Sequence, residues 1–230
     1  MTQNPGPKKV NFDEYANDYE KLLQDQLQFF SRDRGFFSRY KAGLLSQLAP
    51  VPERILDFGA GIGLMIPALR ESFPNATLSA TDISTASLAH LSRKFPEVTV
   101  LADHELQDFR FDLILVATVL HHIEPALRRG VMARLSRLLS PGGCLCVFEH
   151  NPLNPITQRM VSTCPFDEDA ILLPMRETVD LLVNASELSL EKRGFTLFVP
   201  PALSALRPIE KYIDWLPLGG QYFVVGRCIG

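Results

Sequence analysis

Arg54-Ile55-Leu56-Asp57-Phe58-Gly59-Ala60-Gly61-Ile62-Gly63 decides the fold: an apolar run meets an acid and passes into three alternating glycines. Arg54 to Phe58 has the composition of a short buried strand. The glycines at 59, 61 and 63 allow a sharp turn with no Cβ between backbone and ligand. Leu64 to Phe73 continues as a helix, so the loop lies at a helix N-terminus whose N–H groups can meet a carboxylate or phosphate. Strand end, loop and helix start form the crevice where open α/β sheets bind ligands. A plain glycine-rich turn between strand and helix has the same residues.

The spacing narrows the reading. A dinucleotide fingerprint requires Gly-x-Gly-x-x-Gly, but Leu64 stands where its third glycine belongs and the glycine falls at 63. An acid followed by Gly-x-Gly-x-Gly resembles the first motif of the class I S-adenosylmethionine-dependent methyltransferases, a likeness that covers residues 51 to 150 well. The resemblance implies a Rossmann-like seven-stranded α/β sandwich with a terminal antiparallel hairpin. It also implies S-adenosyl-L-methionine as cofactor, S-adenosyl-L-homocysteine as product, and Asp57, Gly59, Ala60, Gly61 and Gly63 as the cofactor loop. Glu149-His150-Asn151-Pro152 after the fifth strand is similar to a poorly characterised bacterial branch of these enzymes, which names no acceptor.

Further site residues follow at strand ends. Ala76 to Thr81 reads as the second strand and ends in Asp82-Ile83, about 20 residues beyond the loop, where a carboxylate can hold both hydroxyls of a ribose. Asp82 could instead cap the next helix, but Ser84 stands ready for that. Val98 to Ala102 is the third strand; the resemblance assigns the following Asp103-His104 to the adenine amino group, while a turn Asp is the simpler alternative. Phe111 to Val119 suits a central parallel strand buried on both faces, with Ala117 to His122 at the crevice. His122 and His150 are the candidate bases for an acceptor proton. A histidine that merely packs the loop is the competing reading. A metal site at His121, His122 and Glu124 is not expected, because adjacent strand residues point apart and no zinc spacing is present.

The remaining chain reads as one domain. With 230 residues, 46% hydrophobic and 21% charged, it can bury a full core. A net charge of -3 gives no general attraction for nucleic acid. Residues 1–9 read as a mobile tail and 10–50 as an N-terminal helical lid, in which the resemblance makes Tyr15, Tyr19 and Phe37 pocket candidates. Residues 51–150 form the cofactor core, and 151–185, with Asn-Pro twice, an insertion over the active site. Residues 186–230 hold a last helix, Ser186 to Arg193, then strands Phe195 to Val199 and Tyr222 to Arg227. Arg128, Arg129, Arg134 and Arg137 read as the solvated side of an amphipathic helix. Cys144, Cys146, Cys164 and Cys228 have no paired spacing, and with no signal peptide or 18-residue apolar run a reduced cytoplasm is expected.

The expected activity is methyl transfer from S-adenosylmethionine to oxygen of a small-molecule or lipid-like acceptor. The rivals are an NAD-dependent oxidoreductase, disfavoured by Leu64, and a cofactor-binding module without catalysis.

Overall fold

The protein is described from a computed structural model covering residues 10, 13, 35–49 and 51–229. Tyr15, Tyr19 and most of the expected lid lie outside the described residues. Helix α1 (Phe36–Leu48) belongs to that segment and buries Phe36, Lys41, Ala42 and Leu45. It is fastened to the C-terminal part of the chain: the Tyr40 hydroxyl donates to Glu210 and accepts from Thr196 Oγ1, and Arg207 stacks 4.1 Å over the Phe36 ring.

Seven strands form one sheet among the described residues: β1 (Arg54–Phe58), β2 (Thr77–Thr81), β3 (Thr99–Val100), β4 (Phe111–Ala117), β5 (Leu139–His150), β6 (Ser189–Thr196) and β7 (Gln221–Arg227). Their order is β3-β2-β1-β4-β5-β7-β6. β1 to β5 pair in parallel, and β7 runs antiparallel to both neighbours. The terminal antiparallel strands expected from the sequence are present, and this order differs from the 3-2-1-4-5-6 of dinucleotide-binding sheets.

Alternate residues of the central strands supply two cores. Ile55, Leu113, Leu115, Cys144 and Cys146 face one side, with Ala42 and Leu45 of α1 and Ile66 and Leu69 of α2 (Ile66–Ser72). Leu56, Ile114, Val116, Leu145 and Val147 face the other, covered by Met132 and Leu135 from a helix over Pro125–Arg137. Burial on both faces is why β4 reads as an unbroken apolar run. Between these helices, α3 (Thr85–Lys94) starts at Ser84, whose Oγ accepts from Ser87 N at 3.0 Å. We number the Pro125–Arg137 helix α4.

Two local expectations are corrected. Ser186 to Arg193 is not a helix: β6 begins at Ser189, and the helix lies earlier, as α6 (Met175–Asp180) running into a π-helical turn over Leu181–Ala185, after α5 (Pro155–Ser162). Leu, Glu and Lys favour a helix locally, but ladder bonds to β7 along Ser189–Thr196 override that preference. Arg128 is not solvated. It is 1% exposed, and its guanidinium donates to the carbonyls of Leu120, Ile123 and Ile171 and to Glu177 Oε1.

The segment after β5 is tied down by its two asparagines. Asn151 Nδ2 donates to the carbonyls of Pro217 and Gly219, and Asn154 Nδ2 to that of Leu218. Asn154 Oδ1 also caps α5, accepting from Ile156 N and Thr157 N. No described helix is long and apolar enough to cross a membrane.

Candidate functional site

The chain leaves β1 for β2 on one side and returns to β4 on the other, so the carboxyl ends of β1 and β4 flank a topological switch point. The glycine loop lies there. Gly59 N and Ala60 N donate to Thr81 O at 2.9 and 3.0 Å, joining the loop to the end of β2. Gly59, Gly61 and Gly63 have φ of 73°, 53° and 84°, the left-handed region that side chains disfavour. A Cβ on Gly59 would lie 2.5 Å from Val119 Cγ2, whereas one on Gly61 would meet nothing within 4 Å. The backbone of Gly61 therefore borders open space.

Asp82 stands beside it. Gly61 N donates to Oδ2 at 2.7 Å and Ser84 N to Oδ1 at 2.8 Å, which fixes the carboxylate while leaving each oxygen further lone-pair capacity. Burial raises its pKa, opposed by those backbone donors. The next residue, Ile83, is 79% exposed, an apolar side chain beside a polar rim. Ser84 Oγ and Ala86 N donate to Asp13, which lies at the start of α3. Asp103 and His104 are exposed, and Asp103 holds Arg134 through two bonds of 2.5 Å. Ala117 ends β4, and Thr118 after it has φ 58°, a strained turn at the crevice.

Beneath the loop, Asp57 is 2% exposed and its Oδ2 has no hydrogen-bond partner among the described residues. Burial, reinforced by Asp82 and opposed by Lys41, pushes its pKa up to about 7. Lys41 is buried as well, 5.7 Å from the Phe148 ring centroid, and burial brings its pKa down to about 8 against the pull of Glu149 and Asp57. The sign for Asp57 follows from linkage: the folded chain holds a proton that the unfolded chain has lost, so stability falls as pH rises from about 4 to about 7. Asp57→Asn should remove this slope. Relative to wild type, the variant is expected to gain about 2–4 kcal/mol between pH 4.5 and 8, whatever the amide itself costs. Urea unfolding at both pH values checks this; an equal difference at the two would refute the raised carboxyl.

On the β4 side, Leu120–His122 forms a 3-10 turn, not a strand, and the His121 and His122 rings lie 4.1 Å apart. His121 is buried, with Nδ1 2.6 Å from Glu149 Oε2, while Glu149 Oε1 accepts from Val119 N and Leu120 N. Burial works against the imidazolium, but Glu149 and Asp167 outweigh it and raise the His121 pKa to about 9. Burial would likewise raise the pKa of Glu149, but His121 holds it below the ordinary carboxylate value. Asp167, from the segment after β5, has Oδ1 3.5 Å from His121 Nε2 and 3.4 Å from His122 Nε2. Asp169 Oδ1 lies 3.4 Å from His122 Nδ1, and its other oxygen accepts from Val10 N. His150 is 5.1 Å from the His121 ring, and burial, then the His121 charge, lowers its pKa to about 3. Burial also lowers that of His122, which is less enclosed.

The structure thus gathers Asp57, Gly59, Ala60, Gly61, Gly63, Asp82 and Ile83 at the β1–β2 end, and His122 and His150 at the β4–β5 end. Sequence reasoning missed Lys41, Arg128, Glu149, Asp167 and Asp169. For Lys41 a signal existed, since it stands four residues before Leu45 and so shares the buried stripe of α1 with it. The others meet only through the fold.

Comparison with known proteins agrees with this architecture. Residues 56–145 match the model of the methyltransferase domain family. This stretch is similar to a methyltransferase domain, and the sheet around it has the fold of S-adenosylmethionine-dependent methyltransferases. A malonyl-[acyl-carrier protein] O-methyltransferase of Legionella pneumophila is 32% identical over 63% of this chain and 50% of its own length. A trans-aconitate 2-methyltransferase of Acidovorax is 32% identical over 51% of this chain and 46% of its own length. The chain thus spans about half the length of these curated relatives. An S-adenosylmethionine-dependent methyltransferase of Archaeoglobus fulgidus shares the fold, with a TM-score of 0.66 at 14% identity, over 91% of this chain and 100% of its own.

Proposed function

We propose that this domain moves the methyl group of S-adenosylmethionine to an oxygen of a small-molecule or lipid-like acceptor. The observation that carries the reading is Asp82: a carboxylate aimed by Gly61 N and Ser84 N beside a glycine whose Cβ direction is open. Those features fit the cofactor. Asp82 would accept from the ribose hydroxyls, Ile83 would pack on the adenine, and the loop from Gly59 to Gly63 would run along the amino-acid part. Asp103, His104 and Ala117 would complete the adenine side, although Asp103 would have to share its carboxylate with Arg134. Buried Lys41, whose charge is favoured by both Glu149 and Asp57, is the cation suited to the amino-acid carboxylate. The bound cofactor supplies an already activated methyl group, and its product is S-adenosylhomocysteine.

The protein's work is then placement and exclusion of water, and oriented reactants can save about 7–11 kcal/mol of barrier. A hydroxyl acceptor would lose its proton toward the His turn, where His122 is neutral near pH 7; His150, with a pKa of about 3, holds a proton more weakly. Oxygen as the accepting atom is supported by a relative named as an O-methyltransferase.

Asp82→Ala should weaken binding of S-adenosylhomocysteine by about 1.5–3 kcal/mol, the worth of hydrogen bonds to a charged group. Calorimetry on the folded variant tests it. Unchanged affinity, or a wild-type protein that binds neither S-adenosylmethionine nor its product, would overturn the reading.

A further inference from the structure

His121, His122 and Asp167 offer one ligand atom each, and these atoms all lie within 4.8 Å of one another. The two Nε2–Oδ1 distances, 3.5 and 3.4 Å, are long for N–H···O hydrogen bonds, which cluster near about 2.9–3.0 Å. They match something else. With bonds of about 2.0–2.1 Å to nitrogen and oxygen, the edge of a tetrahedral coordination shell is about 3.3–3.5 Å. From these distances and the convergence of the two rings, we propose that His121 Nε2, His122 Nε2 and Asp167 Oδ1 bind a divalent transition-metal ion.

The surroundings have the form that such sites take. A metal-bound imidazole turns its other nitrogen to a carboxylate, which fixes the ring and the tautomer. His121 does so, with Nδ1 2.6 Å from Glu149, and His122 Nδ1 faces Asp169 at the longer distance of 3.4 Å. Three carboxylates around two imidazoles form an excess of negative charge in a largely buried place, which a dication offsets. Two imidazoles and one carboxylate suit zinc, cobalt(II) or nickel(II) better than magnesium or calcium, which prefer oxygen alone. Sequence spacing could not have shown the site, because Asp167 arrives from the segment after β5. The expectation of no metal assumed that His121 and His122 alternate on a strand, whereas a 3-10 turn brings both to one carboxylate.

Three protein ligands leave a further position for water or an acceptor oxygen. An ion there would lower the pKa of a bound hydroxyl and so take over the task of a base. That role rests on the methyltransferase reading; the binding of metal does not.

The test is titration of the chelator-treated full chain with cobalt(II), followed by visible absorption, with zinc as competitor. Wild type is expected to take up a single equivalent with the intense bands of a four-coordinate ion, displaced by zinc. Asp167→Asn and His122→Gln should each lose the bands and bind at least about tenfold more weakly, and Glu149→Gln, which changes only the positioning residue, by about 10–100-fold. Asp180→Asn, on the surface, should bind as wild type does. Folding of every variant is monitored by circular dichroism and thermal unfolding, and S-adenosylhomocysteine binding is measured alongside as the separate readout of the cofactor reading. Absence of a stoichiometric cobalt spectrum in wild type, or unchanged affinity in Asp167→Asn and His122→Gln, would overturn the proposal.

Discussion

Arg128→Met is expected to destabilise the fold by about 3–5 kcal/mol, the cost of breaking a buried, hydrogen-bonded charge. The guanidinium reaches three carbonyls and the Glu177 carboxylate, tying the His turn to the segment after β5 and to α6. Methionine fills similar space but donates nothing, so the carbonyls of Leu120, Ile123 and Ile171 lose a partner. Arg128→Lys should rescue little, because a point charge on a flexible stem cannot replace a planar fork with five donors. For a chain of this size the change corresponds to a fall in Tm of roughly 10 °C. Thermal and urea unfolding measure it, and a loss under about 1 kcal/mol would mean that water replaces the bonds. Arg128 also holds the carbonyl of Leu120 at the base of the His turn, so the loss should disturb the site as well as the core.

The second large effect is catalytic. His122→Ala is expected to lower kcat by about 10²–10⁴-fold, the usual contribution of a positioned proton acceptor. A His122 that acts as a metal ligand predicts a loss too, and cobalt binding separates the two roles. Affinity for S-adenosylhomocysteine should change little, because Asp82 and the glycine loop lie at the other end of the crevice. If the variant keeps near-normal turnover with an identified acceptor, placement alone carries the reaction.

What the sequence disclosed was local. Asp57 to Gly63 and Asp82 could be read because strand, turn and acid follow one another in the chain, and the turn demands glycine by its own geometry. The apolar run from Phe111 identified the central strand for the same reason. Arg128 could not be placed, since an arginine on an amphipathic helix looks solvated until Ile171 and Glu177 arrive from more than forty residues away. Asp103 follows the third strand in the sequence, and only the fold sets Arg134 against it. The Ser186 to Arg193 segment was misread because its propensity favours one structure and its pairing partner another. The His turn failed in the same manner: adjacency in sequence suggested divergence, and one turn of 3-10 helix reversed it.

The position of β7 has a consequence for how the chain folds. β6 precedes β7 in the sequence, yet within the sheet it touches β7 alone, which separates it from β5. Until the last strand enters, β5 presents an open edge and β6 has nothing native to pair with. Direct pairing of the two would give a continuous parallel sheet, a competing topology that the usual right-handed crossover permits. Glu191, Lys192 and Arg193 weigh against it, because a charged strand is a poor partner for a waiting edge. The same charges that disguised β6 as a helix in the sequence lie on the outer edge of the finished sheet, where they make it a poor template for another strand.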